Sequence, residues 1–215
     1  AWFYLGKSNF RKKKYKETIE YLEKTEGSKL NKEDLAEMQF KRGYSYLMEG
    51  NLEKAKTDLA EIKEKDNKYM NPAIYYFSHI SYTEKNYGTA LQGFNKLVNN
   101  ETFGTVVPYY ITQIYFIQGK YETVTQTAPQ LLNDSANVQK SDEINRMIGE
   151  SYYNLKKYSD ALLYLKKTNL ASDLNPQGNY ALGYCYYKTN DCPNAIKQFE
   201  KATTPKDSIS QSAWY

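Results

Sequence analysis

Leu182-Gly183-Tyr184-Cys185-Tyr186, followed after a short gap by Ala195-Ile196-Lys197-Gln198-Phe199-Glu200-Lys201-Ala202, is the stretch whose reading decides the fold. A glycine among apolar residues, then a second run carrying Ala195, Phe199 and Ala202 on one helical face, reads as two helices joined by a tight turn. Working outward from Gly183, a small residue recurs at Gly149, Thr112, Ser78, Gly43 and Gly6, at separations of 34, 37, 34, 35 and 37 residues. A fixed period of this length marks a repeated supersecondary unit and sets the architecture before any single element is assigned.

The rest of the unit keeps the same register. Nine residues after each small residue stand Tyr15, Leu52, Tyr87, Tyr121, Tyr158 and Cys192; twelve after stand Thr18, Ala55, Ala90, Val124, Ala161 and Ala195. Sixteen after come Leu22, Leu59, Phe94, Ala128, Leu165 and Phe199, and nineteen after come Thr25, Ile62, Leu97, Leu131, Thr168 and Ala202. Two antiparallel helices approach closely only where one offers a small side chain and the other a large one beside it, which is what this alternation provides. Each pair still leaves an apolar flank for the next pair to cover, so the copies are stable only as a stack. An irregular helical bundle has no reason to keep such a register.

These residues resemble the tetratricopeptide repeat, in which a Leu-Gly pair and a Tyr on the first helix are followed by Ala and Phe on the second. Leu182-Gly183, Tyr186, Ala195 and Phe199 fit it best, and Ile148-Gly149, Tyr152 and Ala161 fit next. Repeats three and four depart most, with Ser78 and Thr112 for glycine and Ala128 for a large residue. The resemblance implies an all-α, right-handed superhelical solenoid of antiparallel helix pairs spanning 1–215 as a single array. Its repeats are placed at about 1–31, 36–70, 71–104, 105–139, 142–175 and 176–209, with a partial seventh at 210–215 in which Trp214 falls where Trp2 falls. Both ends lack polar caps, so the expected parent is a longer array, or one whose ends meet a second copy.

First helices are predicted at roughly 1–13, 33–49, 72–85, 106–119, 140–156 and 176–190, and second helices at roughly 15–25, 52–64, 87–98, 121–132, 158–168 and 192–203. Gly50-Asn51, Gly119-Lys120 and Asn190-Asp191 suit the tight turns. Pro129, preceded by the β-branched Thr123, Val124, Thr125 and Thr127, predicts a kink or early end of its helix near 125–129.

Composition narrows the function. Apolar residues are 40% and charged residues 25% of the 215, with few Gly or Pro, which excludes collagenous, disordered and disulfide-stapled classes. The net charge of +4 is interspersed apart from Arg11-Lys12-Lys13-Lys14-Tyr15-Lys16, so no nucleic-acid partner is expected. No apolar run is long enough for a transmembrane helix. The one histidine, His79, has no second ligand at metal spacing, and no phosphate loop or nucleophile motif occurs, so no cofactor, metal or catalytic activity is expected. Cys185 and Cys192 both map to core slots, as buried thiols or as a disulfide closing a turn. Asn100-Glu101-Thr102 and Asn133-Asp134-Ser135 match the glycosylation acceptor pattern.

In the resembled family the first helices line the concave side. Three residues before each small residue stand Phe3, Phe40, Tyr75, Tyr109, Arg146 and Tyr180; four after it stand Phe10, Leu47, Tyr82, Phe116, Tyr153 and Tyr187. Between them lie Lys7, Tyr44, His79, Gln113, Glu150 and Tyr184; with mainly Phe and Tyr at the first slot and this mixed set at the second, the pattern departs from the Lys and Asn of repeats that clamp a terminal carboxylate. This aromatic groove is the candidate site for a protein or peptide segment, although part of the stripe also packs neighbouring units. The alternative is a carbohydrate or cell-wall binding module with the tyrosines stacked on sugar rings. The Tyr-, Lys- and Asn-rich style resembles bacterial repeat proteins, including envelope ones, which favours the periplasm or outer membrane over the cytoplasm.

Overall fold

The computed structural model describes residues 1–168 and 176–203, so the partial seventh unit with Trp214 and Tyr215 lies outside the described residues. The chain divides into two compact units, Ala1–Val107 and Pro108–Tyr215. The first contains α1 (Trp2–Arg11), α2 (Tyr15–Glu23), α3 (Lys32–Met48), α4 (Leu52–Ile62), α5 (Met70–Thr83) and α6 (Tyr87–Lys96). α7 (Val107–Ile117) begins at the junction, and α8 (Tyr121–Thr127), α9 (Ser141–Asn154), α10 (Tyr158–Leu165), α11 (Pro176–Lys188) and α12 (Cys192–Ala202) follow. Every predicted helix is present, and no strand occurs among the described residues. Within each unit helices pack against their hairpin partners, as in α1 with α2 and α11 with α12, and onto the next pair, as in α2 with α3 and α10 with α11.

The hairpin turns are built alike. Seven residues after the small residue the backbone is left-handed in all six pairs, with φ of 57° at Lys13, 79° at Gly50, 61° at Lys85, 70° at Gly119, 61° at Lys156 and 63° at Asn190. The next amide donates to the carbonyl five residues back, as Asn51 does to Tyr46 at 2.8 Å and Lys157 to Tyr152 at 2.9 Å. This pair of features is the Schellman arrangement, which satisfies carbonyls stranded at a helix end and turns the chain back on itself. Asn51, Asn86 and Asp191 then cap the second helices by accepting from the amides of Lys54, Thr89 and Asn194.

Close approach within pairs follows the small-beside-large rule. A Cβ added at Gly149 would lie 2.6 Å from the Leu165 side chain, and one at Gly183 would lie 2.8 Å from the Phe199 ring. Repeat three reverses the roles. There Ser78 stands on the first helix, and Gly93 on the second leaves room for its hydroxyl. Repeat four has a buried Thr112 on the first helix and a fully buried Ala128 just after the second, so medium and small residues replace the small and large ones of the other pairs.

α8 ends at Thr127, and a 3₁₀ segment runs from Ala128 to Asn133 with Pro129 in its first turn, the early end that an interior proline imposes. The reading of Cys192 as a core residue is corrected. Cys192 is exposed and unbonded, and only Cys185 is buried. The Tyr and Leu side chains at this position in the other repeats reach back far enough to be half-buried; a cysteine at the start of α12 is too short to do so. Burial pushes the Cys185 thiol up to about 12.

Candidate interaction surface

The first helices of each unit carry the aromatic stripe, and the rings make direct contacts. In the first unit Phe10 meets Tyr44 edge-on with centroids 5.6 Å apart, Tyr44 meets Tyr76 at 4.9 Å, and Phe40 stacks on Tyr69 at 5.0 Å. Tyr75 stacks on Phe103 at 4.7 Å and leads through His79 to Tyr82. In the second unit Tyr153 lies edge-on to Tyr184 at 5.8 Å, and Tyr184 contacts both Tyr180 and Tyr187. Phe116 lies against Tyr121 and under the Arg146 guanidinium, 5.7 Å from the ring centre. Offset and edge-on geometry of this kind adds to area burial and fixes the rings in place.

Two predicted groove residues are corrected to core. Phe3 packs with Leu22 and Met38, and Tyr109 packs with Ile144 and Met147 while its hydroxyl donates to Glu143, so neither presents a ring to a partner. Phe10, Phe40, Tyr44, Tyr75, His79 and Tyr82 are half-buried in the first unit, as are Gln113, Phe116, Arg146, Glu150, Tyr153, Tyr180 and Tyr184 in the second. Tyr187 is the most open, at 54%.

The polar residues between the rings are tied into bridges that sequence reading missed. Lys7 Nζ is 2.9 Å from Glu37 Oε2, and Gln113 Nε2 donates to Glu143 Oε1 at 2.8 Å. Glu37 and Glu143 each stand six residues before the small residue of the following pair, so one rule joins the middle of one first helix to the start of the next. The signal was that shared register, invisible until consecutive first helices are known to abut.

Burial raises the proton affinity of Glu37, but the hydrogen bond from Lys7 and the charges of Lys41 and Lys68 outweigh it and hold its carboxyl below the usual range. Lys41, 3.5 Å from the same carboxylate, is pulled down by its own burial, with Lys7 and Arg11 as like-charged neighbours. In the second unit Arg146 donates to both oxygens of Glu150 at 3.1 and 3.2 Å, yet burial dominates and raises the Glu150 carboxyl. Burial lowers His79, which favours the neutral imidazole. Among the described residues no three His, Cys, Asp or Glu side chains gather as a metal site, and no helix is long and apolar enough to cross a membrane.

A repeated helical hairpin with a small-large interface, a left-handed turn residue and packing of one pair on the next defines an α-helical repeat protein. Residues 37–66 match the family model described as tetratricopeptide repeat, and the chain as a whole has the tetratricopeptide-repeat fold. Among solved structures it is similar to MamA from Desulfovibrio magneticus RS-1, at 15% identity over 82% of this chain and 96% of that one, with a TM-score of 0.62. It is also similar to Pseudomonas aeruginosa PilF, at 12% identity over 98% and 94% with a TM-score of 0.65. The C-terminal part of a tetratricopeptide repeat-containing protein from Cytophaga hutchinsonii matches at 16% identity over 99% of both chains, with a TM-score of 0.62. No curated protein matches the sequence.

Proposed function

We propose that the chain is a non-catalytic scaffold whose first-helix stripes hold segments of protein partners. The observation that supports this most directly is the run of half-buried rings on α3, α5, α9 and α11, which keep part of their area open after packing with one another. Tyrosine suits such a surface, because it adds contact area and a hydroxyl while losing little side-chain freedom. The fold adds weight, since tetratricopeptide repeats generally serve as interaction scaffolds.

Site-specific photo-crosslinking tests the proposal. A photoreactive phenylalanine analogue replaces Tyr82 or Tyr184 on the stripes, or the exposed Leu163 on the second helix α10. The expected result is a discrete protein adduct from the stripe positions and none from Leu163. Equal labelling from all three positions would refute a stripe-specific partner site.

A further inference from the structure

The net charge of the chain is concentrated in its first hairpin. Of 29 basic and 25 acidic residues, seven and three fall within residues 1–24, so the remaining sequence holds 22 of each and is neutral. Five of those seven, Arg11, Lys12, Lys13, Lys14 and Lys16, stand at the turn from α1 to α2, and all five are exposed. Among the described residues Arg11, Lys12, Lys13 and Lys14 make no ion pair. The acids of the same hairpin are largely engaged elsewhere. Glu20 lies 2.6 Å from Lys24, and Glu23 accepts from Tyr46 and Lys54. Glu17, with Glu49 and Glu53 of the next hairpin, is left to oppose the run, and Lys16 is 4.0 Å from Glu49. Three carboxylates do not neutralise five cations.

The fold does not call for this charge. The seven positions from Arg11 to Glu17 hold five basic side chains and one acidic one. The same seven positions of the other five hairpins range from one net negative charge, at Met48 to Lys54, to one net positive, at Asn154 to Asp160. Those turns close with the same left-handed residue and the same backbone hydrogen bond. Like charges crowded on one turn repel, and Lys14 and Lys16 sit at the N-terminal end of α2, where the helix dipole disfavours cations.

We infer that the first hairpin turn is a contact for an anionic lipid surface. Shape and residue type support the same occupant. The tip of a hairpin is convex, so it offers its long cations to a plane and encloses no groove for a polymer. The run has four lysines to one arginine. Lysine is a mobile, strongly hydrated point charge that is depleted in protein–protein interfaces, and clusters of it suit diffuse attraction to an anionic membrane. Met48 takes the place of Arg11 in the next hairpin and is 50% exposed, which adds an apolar side chain on the same edge for the headgroup boundary. The contact is separate from the aromatic stripe and does not depend on it.

Vesicle co-sedimentation with the 215-residue protein tests this, using phosphatidylcholine vesicles with and without phosphatidylglycerol. Binding to the anionic vesicles is expected to be ~10-fold or more tighter than to the neutral ones and to weaken as salt rises. A basic residue near such a surface is worth about 1 kcal/mol, a factor of ~5, so the triple variant Lys12→Gln, Lys13→Gln and Lys14→Gln should bind ~100-fold more weakly. A control removes the same charge from exposed lysines elsewhere, as Lys65→Gln, Lys166→Gln and Lys197→Gln, and should keep most of the binding. All six positions are exposed, so both variants should keep the helical spectrum of the wild type. Equal loss in the two triple variants overturns the inference, because net charge and not the turn would then be responsible. Equal binding to both vesicles, or binding to neither, also overturns it. Inorganic phosphate, a polyglutamate peptide and a thymidine oligonucleotide serve as competitors at matched charge. None is expected to displace the protein, and displacement by any of them reassigns the turn to that anion and overturns the lipid contact.

Discussion

At the residue scale, the most regular feature of the chain is a left-handed backbone at one position of every hairpin, and four of its six occupants are not glycine. A side chain with a Cβ pays a steric penalty there of about 1–2 kcal/mol, part of which glycine returns through its freedom in the unfolded chain. Lys85→Gly is therefore expected to stabilise the protein by about 0.5–1 kcal/mol in urea unfolding, with the helical spectrum unchanged. A destabilised variant would show instead that the lysine stem contributes packing that outweighs the strain. Gly50, Gly119 and Asn190 announce such turns in the sequence, but Lys13, Lys85 and Lys156 do not, because lysine has no left-handed preference; only the shared register exposes them. Glu150 carries a second residue-scale expectation. Its carboxyl is raised above the ordinary value of 4.5, so the folded state holds the proton more tightly than the unfolded state does. The stabilisation from that proton is complete below about pH 4.5 and is lost as pH rises through the folded value. Glu150→Gln removes the loss, so its stability relative to wild type should improve as pH rises from about 4.5 through the folded value in paired urea titrations. A pH-independent difference would show that burial and the Arg146 contact cancel, and a trend of opposite sign would show that the Arg146 contact governs the site.

At the element scale, the helices were legible because each is set by its own periodicity and by a turn rule repeated six times. Even the irregular one followed from local chemistry, since Pro129 and its β-branched neighbours end α8 regardless of what packs on it. The candidate site was less legible for the opposite reason. Phe3 and Tyr109 share the register of Phe40 and Tyr180, yet they are core, because burial depends on which neighbouring helix covers each ring. Phe103, which covers Tyr75, lies in a link that the repeat pattern does not describe. Capping gives an element-scale prediction. Asn51, Asn86 and Asp191 accept amide hydrogen bonds at the start of α4, α6 and α12, whereas Lys14, Lys120 and Lys157 occupy the same position before α2, α8 and α10 without a side-chain acceptor. Lys157→Asp supplies the acceptor and a negative charge at a helix N-terminus. It is expected to raise stability by about 1 kcal/mol, with slower amide exchange in the first turn of α10. No change in exchange there would mean that the cap does not form.

At the scale of the whole molecule, the division after Val107 is absent from the repeat register, which passes from Ser78 to Thr112 at 34 residues without interruption. A period records how each hairpin is built, not how strongly successive hairpins hold together, so cooperativity has to be measured. In stacks of this kind each pair contacts only its neighbours, and a local defect should weaken the pairs that share its interface while leaving distant ones intact. Leu165 is suited to the measurement. It is fully buried, sits against Gly149 of α9, and packs in a cluster with Leu182 and Cys185 of α11. Leu165→Ala should cost about 2–5 kcal/mol, because nothing can move into the space left beside a helix already in close contact. Hydrogen exchange should then accelerate through α9 to α12, while α1 to α4 keep the protection they have in the wild type. Uniform acceleration from α1 to α12 would establish instead that the two units unfold as one, and would make the period, with no added boundary, the correct description of the molecule's cooperativity.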